Sequence, residues 1–160
     1  MMLLVGFGYA EPVPINPNYF KHRKTGMAIT AFAGPFSNLL LSFIAGFVVI
    51  AETKSNVMIF GATTYYQSTF HLLLYLFFYY MHMMNLYLAV FNMIPVPPLD
   101  GSRILFIFLP AKYYFKVMKY EQYIAIGLIA LLYIGILDGP LSFITSGISN
   151  GLLNLADLII

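Results

Sequence analysis

The feature that most constrains the fold is the segment Asn92–Gly101, here called the proline loop, which lies between long apolar runs. Pro95, Pro97 and Pro98 carry no N–H and disfavour helical angles in the residues before them, so we expect an extended chain that interrupts a helix. Irregular backbone at membrane depth requires a protein or polar surround, and an ionisable residue beside it is a candidate functional residue. Asp100 is that residue.

Composition places the chain among integral membrane proteins. Of its 160 residues, 61% are hydrophobic and 9% are charged, and this length suggests one domain, residues 1–160. The net charge of +2 is too small to indicate a nucleic-acid partner. The absence of cysteine excludes disulfides and thiolate metal sites.

Two segments predict complete membrane spans. Met27–Ala51 and Phe70–Phe91 are each long enough to cross ~30 Å of hydrocarbon at ~1.5 Å per residue. Glu52–Gln67 between them is polar and is expected at the opposite membrane face from the proline loop. The interrupted helix is expected to resume as a short helix, Gly101–Leu109, ended by Pro110.

The remaining segments predict less regular membrane structure. Tyr123–Leu137 is short enough to be a tilted or partial span, and Leu141–Ile160 suits an interfacial or packing helix. Met1–Tyr19 mixes glycine, proline and short apolar runs, which favours a strand-like re-entrant segment or an interfacial connector. The predicted fold is an all-α polytopic membrane protein with about three to four transmembrane helices, one of them broken by proline.

Cations predict the orientation. Lys21, Arg23 and Lys24 precede the first span, and Arg103 lies with three lysines after the second (Lys112, Lys116 and Lys119). Both groups therefore lie on one side of the membrane, and the positive-inside rule makes that side cytoplasmic. Asp100 is expected near it, with the lipid bilayer around the helices.

Three ordered segments resemble motifs of the site-2 protease family of intramembrane zinc metalloproteases. The proline loop resembles the family's N-x-x-P-x-P-P-L-D-G signature, and Ala33–Asn38 resembles its A-G-P-x-x-N element. Tyr9–Pro17 resembles the loop upstream of these elements. The resemblance covers about residues 5 to 110.

The resemblance implies a single zinc ion held by two histidines of an H-E-x-x-H helix and by an aspartate, whose counterpart is Asp100. The sequence contains no His-Glu pair. We therefore expect the C-terminal part of a metalloendopeptidase that cleaves membrane-spanning substrates, inactive by itself and complete only with an upstream H-E-x-x-H segment. The alternatives are a non-catalytic membrane scaffold derived from this fold and a small transporter subunit.

Two residues of the proline loop have alternative interpretations. Asp100 is either a zinc ligand or an N-cap of the following helix, and one carboxylate can serve both roles. Asn92 either contacts the substrate carbonyl or oxyanion or caps the preceding helix. Pro95, Pro97, Pro98 and Gly101 are expected to shape the loop along the substrate channel.

Other polar and small residues are expected to support the site. We predict that Gly34, Pro35, Asn38 and Asn85 pack near it, Asn38 through an interhelical hydrogen bond and Asn85 on the helical face of Asn92. His71 and His82 lie about 16 Å apart along an ideal helix at ~1.5 Å per residue, too far apart to share one metal ion. Each histidine is predicted to make interhelical or interfacial hydrogen bonds.

Overall fold

The structure, a computed structural model, describes residues 21–60, 63–105, 107–108 and 116–160. It is nearly all helical. The helices are α1 (Arg23–Asn56), α2 (Thr69–Asn92), α3 (Asp100–Leu105), α4 (Glu121–Tyr133) and α5 (Asp138–Ile159), and the strands are β1 (Val57–Phe60) and β2 (Thr63–Tyr66). The predicted re-entrant segment Met1–Tyr19 lies outside the described residues.

Helices α1 and α2 form an antiparallel pair that makes up most of the packing. Both are long and apolar enough to cross a membrane. Small buried residues on one face of α1 let the two helices approach closely; they are Ala28, Ala31, Ser42, Ala45 and Gly46. Pro35 lies within α1, where it leaves the carbonyl of Ala31 without its usual helical donor.

The connection predicted as a polar segment over Glu52–Gln67 contains regular secondary structure. Helix α1 continues to Asn56, and an antiparallel hairpin follows in which Val57 pairs with Tyr66 and Phe60 with Thr63. The fold is therefore not purely α-helical. Ser68 begins α2 as an N-cap, since its hydroxyl oxygen accepts the N–H of His71 at 3.4 Å.

Helix α5 packs along both α1 and α2. Its first turns lie beside Phe36 of α1 and Pro95 of the proline loop, whereas Asp157 near its end pairs with Lys54 at the end of α1, with 2.9 Å between Nζ and Oδ1. Helix α5 therefore runs in the direction of α1 and opposite to α2. The expectation of a packing helix over this region is confirmed.

Helices α4 and α5 meet at a bend of 80°, and only as a pair do they qualify as a further candidate span, which gives two or at most three spans among the described residues. Gly135 lies in the bend with φ of +79°, and a Cβ there would lie 3.1 Å from Oδ2 of Asp138. This backbone conformation favours glycine. Helix α4 begins at Glu121 and ends at Tyr133, four residues before the predicted end of this segment.

Candidate functional site

The proline loop interrupts the helical chain as predicted, but its backbone is not extended. Helix α2 ends at Asn92 and α3 begins at Asp100. The N–H groups that remain in the loop bond to nearby carbonyls: Val96 to Ile94 at 2.8 Å, and Leu99 to Val96 at 3.0 Å. The loop is thus a series of tight turns, because non-proline donors find partners within a few residues.

Two prolines of the loop differ in their surroundings. Pro97 is buried and Pro98 is exposed, and the peptide bond between them is cis. Pro95 is exposed and lines the cavity described below. Pro97 is therefore the buried proline of the loop, whereas Pro95 and Pro98 are exposed; the loop-shaping role of the three prolines stays a prediction.

Gly101 is the residue that lets α3 fold back on the end of α2. A Cβ at this position would overlap the carbonyl group of Met93 and would lie 2.7 Å from the carbonyl oxygen of Ile94. Backbone atoms have little freedom to move away, so only glycine fits here. The helix that follows is shorter than predicted, since it ends at Leu105 instead of Leu109.

Asp100 is the first residue of α3 and is half-buried. Burial raises the pKa of its carboxyl, and the nearby charge of Arg103 partly offsets this effect. In the part of the chain that the structure describes, no hydrogen bond engages the carboxylate. The N-cap interpretation therefore receives no support from the geometry.

Gly34 of α1 lies directly against Asp100. A Cβ on Gly34 would be 3.2 Å from Oδ2 of the carboxylate, closer than ordinary van der Waals contact. This contact joins the A-G-P-x-x-N element to the proline loop, although the two are far apart in sequence. The prediction that Gly34 packs near the candidate site is consistent with this approach.

The other predicted site residues are placed less tightly. Asn85 is half-buried, and its amide donates to the carbonyl of Met81 in its own helix at 2.8 Å. Asn38 and Asn92 are also half-buried, and among the described residues their side chains make no hydrogen bond. Asn92 is the last residue of α2, as expected from the proline loop.

An apolar cavity of about 480 Å³ adjoins the proline loop. Its lining comes from α1, from the end of α2 with the loop, and from the start of α5; the lining residues are Phe32, Pro35, Phe36, Leu39, Ala89, Val90, Met93, Ile94, Pro95, Leu137, Pro140, Leu141, Ile144 and Ile148. Pro35, the neighbour of Gly34, thus lies on the cavity wall. Asp100 is not among the lining residues, but it belongs to the proline loop, whose residues Ile94 and Pro95 do line the cavity.

Both histidines within α2 make interhelical hydrogen bonds, as predicted. The Nδ1 atom of His71 lies 3.0 Å from Oε2 of Glu52, which also accepts the amide of Asn56 at 3.0 Å. His82 is fully buried and contacts Ser42 of α1 and Ser149 of α5. Sequence reasoning missed both serines; the only available signal was a hydroxyl within each apolar run.

The described residues do not form a complete metal site. Across residues 21–60, 63–105, 107–108 and 116–160, no group of three or more His, Asp or Glu side chains is close enough to hold a metal ion. Asp100 offers one carboxylate of suitable chemistry for zinc. The two histidines of α2 are engaged elsewhere, so the residues that the structure describes offer one zinc ligand, Asp100.

Comparisons with known proteins agree with the motifs. The sequence model of Peptidase family M50 matches residues 4–135. The chain is 34% identical over 123 residues to a Bacillus subtilis protein named "Putative zinc metalloprotease YwhC", a match that covers 77% of this chain and 53% of that protein. It is 31% identical over 107 residues to the Methanocaldococcus jannaschii protein "Putative zinc metalloprotease MJ0611", covering 66% and 47%.

The chain spans about half the length of these curated relatives. No solved structure matches it. The family match contains both Gly34 and Asp100 and ends shortly before α5. The chain is therefore a membrane protein of Peptidase family M50, the site-2 protease family.

Proposed function

We propose that this chain is the C-terminal part of a zinc-dependent intramembrane metalloendopeptidase that hydrolyses peptide bonds of membrane-spanning proteins. The observation that carries the proposal is the contact of Gly34 with Asp100, which assembles the two family elements beside an apolar cavity. Asp100 is the zinc ligand that this chain contributes, because its carboxylate makes no hydrogen bond among the described residues. One zinc ion, held in a complete protein, would supply activation of water.

The apolar cavity is the proposed contact surface for the substrate. Its lining contains phenylalanine, leucine, isoleucine and proline side chains, which suit an apolar segment that leaves the bilayer and approaches the loop. Asn92 at the end of α2 is proposed to contact the substrate carbonyl. Pro95, which lines the cavity, connects this surface to the loop.

The proposed topology is multi-pass. Helices α1 and α2 cross the membrane, and α5 lies along them over nearly the same depth, since it contacts the proline-loop end of α1 and also Lys54 at its other end. By the positive-inside rule, the lysines and arginines at the Asp100 end support a cytoplasmic position for the proline loop. Glu52 and His71 then lie toward the opposite face.

The missing ligands are proposed to come from the portion of the full-length enzyme that this chain does not contain. The test is to express the chain together with the segment of the Bacillus relative that lies outside their match; we call this the reconstituted pair. Zinc per protein, measured after gel filtration in detergent, should be near zero for the chain alone and near one for the pair. Cleavage of a membrane-spanning peptide should follow the same pattern.

Asp100→Asn tests the ligand assignment within the reconstituted pair. The amide keeps the shape but loses the charge, so zinc content and cleavage should fall together. Asp138→Asn is the matched control, because Asp138 is an exposed residue in the first turn of α5. Full zinc content in Asp100→Asn would contradict the assignment.

A non-catalytic membrane scaffold is the second candidate function. It is favoured by the absence of a His-Glu pair from the sequence and of a three-ligand cluster from the described residues. It predicts that the reconstituted pair binds membrane partners without zinc and without cleavage. Stoichiometric zinc with cleavage would exclude it.

A further inference from the structure

The buried contacts of His82 connect three helices at one level of the bundle. Its Nδ1 atom lies 2.8 Å from the carbonyl oxygen of Ser42 and 2.9 Å from the Ser42 hydroxyl, and its Nε2 atom lies 2.9 Å from the Ser149 hydroxyl. His82 and Ser42 are fully buried and Ser149 is 2% exposed. This cluster is called the His82 cluster below.

The geometry assigns the protons of the His82 cluster. A carbonyl oxygen can only accept, so Nδ1 must carry the proton that is donated to Ser42. In the neutral ring Nε2 then has a free lone pair and accepts the hydroxyl proton of Ser149. Each helix thus has one role in the cluster. Helix α2 carries the imidazole, α1 provides the carbonyl that accepts its proton, and α5 provides the hydroxyl that donates to it.

The His82 cluster lies directly below the apolar cavity. Ser42 follows the cavity residue Leu39 by about one turn on α1, and Ser149 follows the cavity residue Ile148 on α5. On α2 the buried Leu86 lies between His82 and the cavity residue Ala89, about one helical turn from each. On all three helices the cluster therefore lies beyond the cavity lining, toward the end of the bundle that carries Lys54.

At the level of the His82 imidazole, α1 packs closely against α2 and α5. A Cβ on Gly46 of α1 would lie 3.1 Å from Nδ1 of His82 and 3.2 Å from a methyl group of Leu153 of α5. The imidazole is thus held on one side by glycine and on the others by hydrogen bonds. Its position leaves little freedom for α5 to slide along α1 and α2.

We propose that His82 is a positioning residue: through the hydroxyl of Ser149 it sets the register of α5 against α1 and α2, and thereby the shape of the apolar cavity beside the proline loop. The role of the cavity in substrate contact rests on the proposed function. The register of α5 does not rest on the proposed function, because it follows from contacts within this chain. Helix α5 lies outside the family match at residues 4–135.

The test is Ser149→Ala, which removes the donor to Nε2 while leaving the Nδ1 contact to Ser42. Spin labels at Leu40 of α1 and Phe143 of α5, both exposed, would report the α1–α5 distance, and the chain has no native cysteine to interfere. We expect the population of displaced α5 to rise about tenfold, as when a buried acceptor loses its donor. The nitrogen NMR spectrum of His82 should keep the Nδ1–H tautomer, because the Ser42 carbonyl still accepts that proton, while the Nε2 resonance should shift as it loses the hydrogen bond from Ser149.

Ser146→Ala is the matched control, because the Ser146 hydroxyl bonds to the carbonyl of Ser142 within α5 and is exposed. It should leave the distances and the Nε2 resonance of His82 unchanged. A second label pair, Leu40 with Met84 of α2, should remain unchanged in Ser149→Ala. An unchanged α1–α5 distance, or equal broadening of both label pairs, would overturn the positioning role.

These readouts use the chain alone and need neither zinc nor cleavage. In the reconstituted pair, Ser149→Ala should lower cleavage severalfold while zinc content stays constant. If the pair proves inactive, the proposed function fails, and the distance and nitrogen NMR measurements still decide the role of His82.

Discussion

The carboxylate of Asp100 in α3 approaches Gly34 in α1 so closely that a Cβ on residue 34 would lie 3.2 Å from Oδ2. Neither the A-G-P-x-x-N element nor the proline loop forms a ligand site by itself. Their approach places one carboxylate at the end of the proline loop, whose residues Ile94 and Pro95 line the apolar cavity. The size of residue 34 therefore controls the space around Asp100.

Gly34→Ala should disturb Asp100 without unfolding the protein. The new methyl group would meet the side chain of Asp100, and a side chain can move away more easily than backbone can. In the reconstituted pair we expect zinc affinity to fall about tenfold, the lower end of the effect of residues that orient metal ligands. Competition with a chelator measures it. Gly147→Ala is the control, since a Cβ there meets nothing within 4 Å, and equal affinities in the two variants would contradict the role of Gly34.

Gly101→Ala should destabilise the fold, because the new methyl group would overlap the backbone of Met93. We expect a loss of about 3 kcal/mol, the upper range for overpacking, measured by reversible unfolding in mixed micelles. Gly127→Ala in α4 has open space around it and should be neutral or stabilising by about 0.5–1 kcal/mol. A neutral Gly101→Ala would show that the loop can open around this position.

The ion pair of Lys54 with Asp157 should contribute little to stability. The two side chains are 44% and 56% exposed, so solvent weakens their attraction, and Asp157→Asn should cost less than about 1 kcal/mol. Ser149→Ala, in the buried His82 cluster, should cost about 1–3 kcal/mol. Unfolding of both variants under the same conditions gives the comparison, and the reverse order would contradict the burial argument.

Ile144→Trp should fill part of the apolar cavity, since Ile144 lines it from α5. In the reconstituted pair, cleavage of a membrane-spanning peptide should fall about tenfold with zinc content unchanged, because the substrate would lose the apolar surface and about 1.4 kcal/mol of binding. Phe143→Trp is the control on the neighbouring exposed position, outside the cavity lining. Equal cleavage by both variants would remove the cavity from the substrate path.

Local patterns in the sequence predicted the helical interruption at the proline loop and the boundaries of α2 to within one residue. The prolines and the long apolar run affect the backbone of residues next to them, so the interruption and the helix bounds can be predicted from the local sequence. The compact turns of the loop were not predicted, because they depend on which carbonyls Val96 and Leu99 reach. The hairpin after α1 was also missed, since helix-to-strand transitions at a polar connection leave a weak pattern.

Contacts between distant segments were harder to predict. The motifs suggested that Gly34 and Asp100 belong to one site, but only folding shows that they touch. The partners of His82 could not be inferred, because Ser42 and Ser149 are single hydroxyls in apolar sequence and nothing local specifies which helices pack together. Candidate site residues could thus be predicted from the sequence where they belong to a motif, whereas the contacts between helices could not.

The polar contacts of α5 also have a consequence for biogenesis. This helix does not qualify as a membrane span by itself, and its buried hydroxyl at Ser149 finds its partner only on α2. Since α1 and α2 are synthesised first, a completed helical hairpin is available in the membrane when α5 leaves the ribosome. Helix α5 would then enter the bilayer by docking on that hairpin instead of partitioning alone, which makes its insertion dependent on the prior assembly of the two helices.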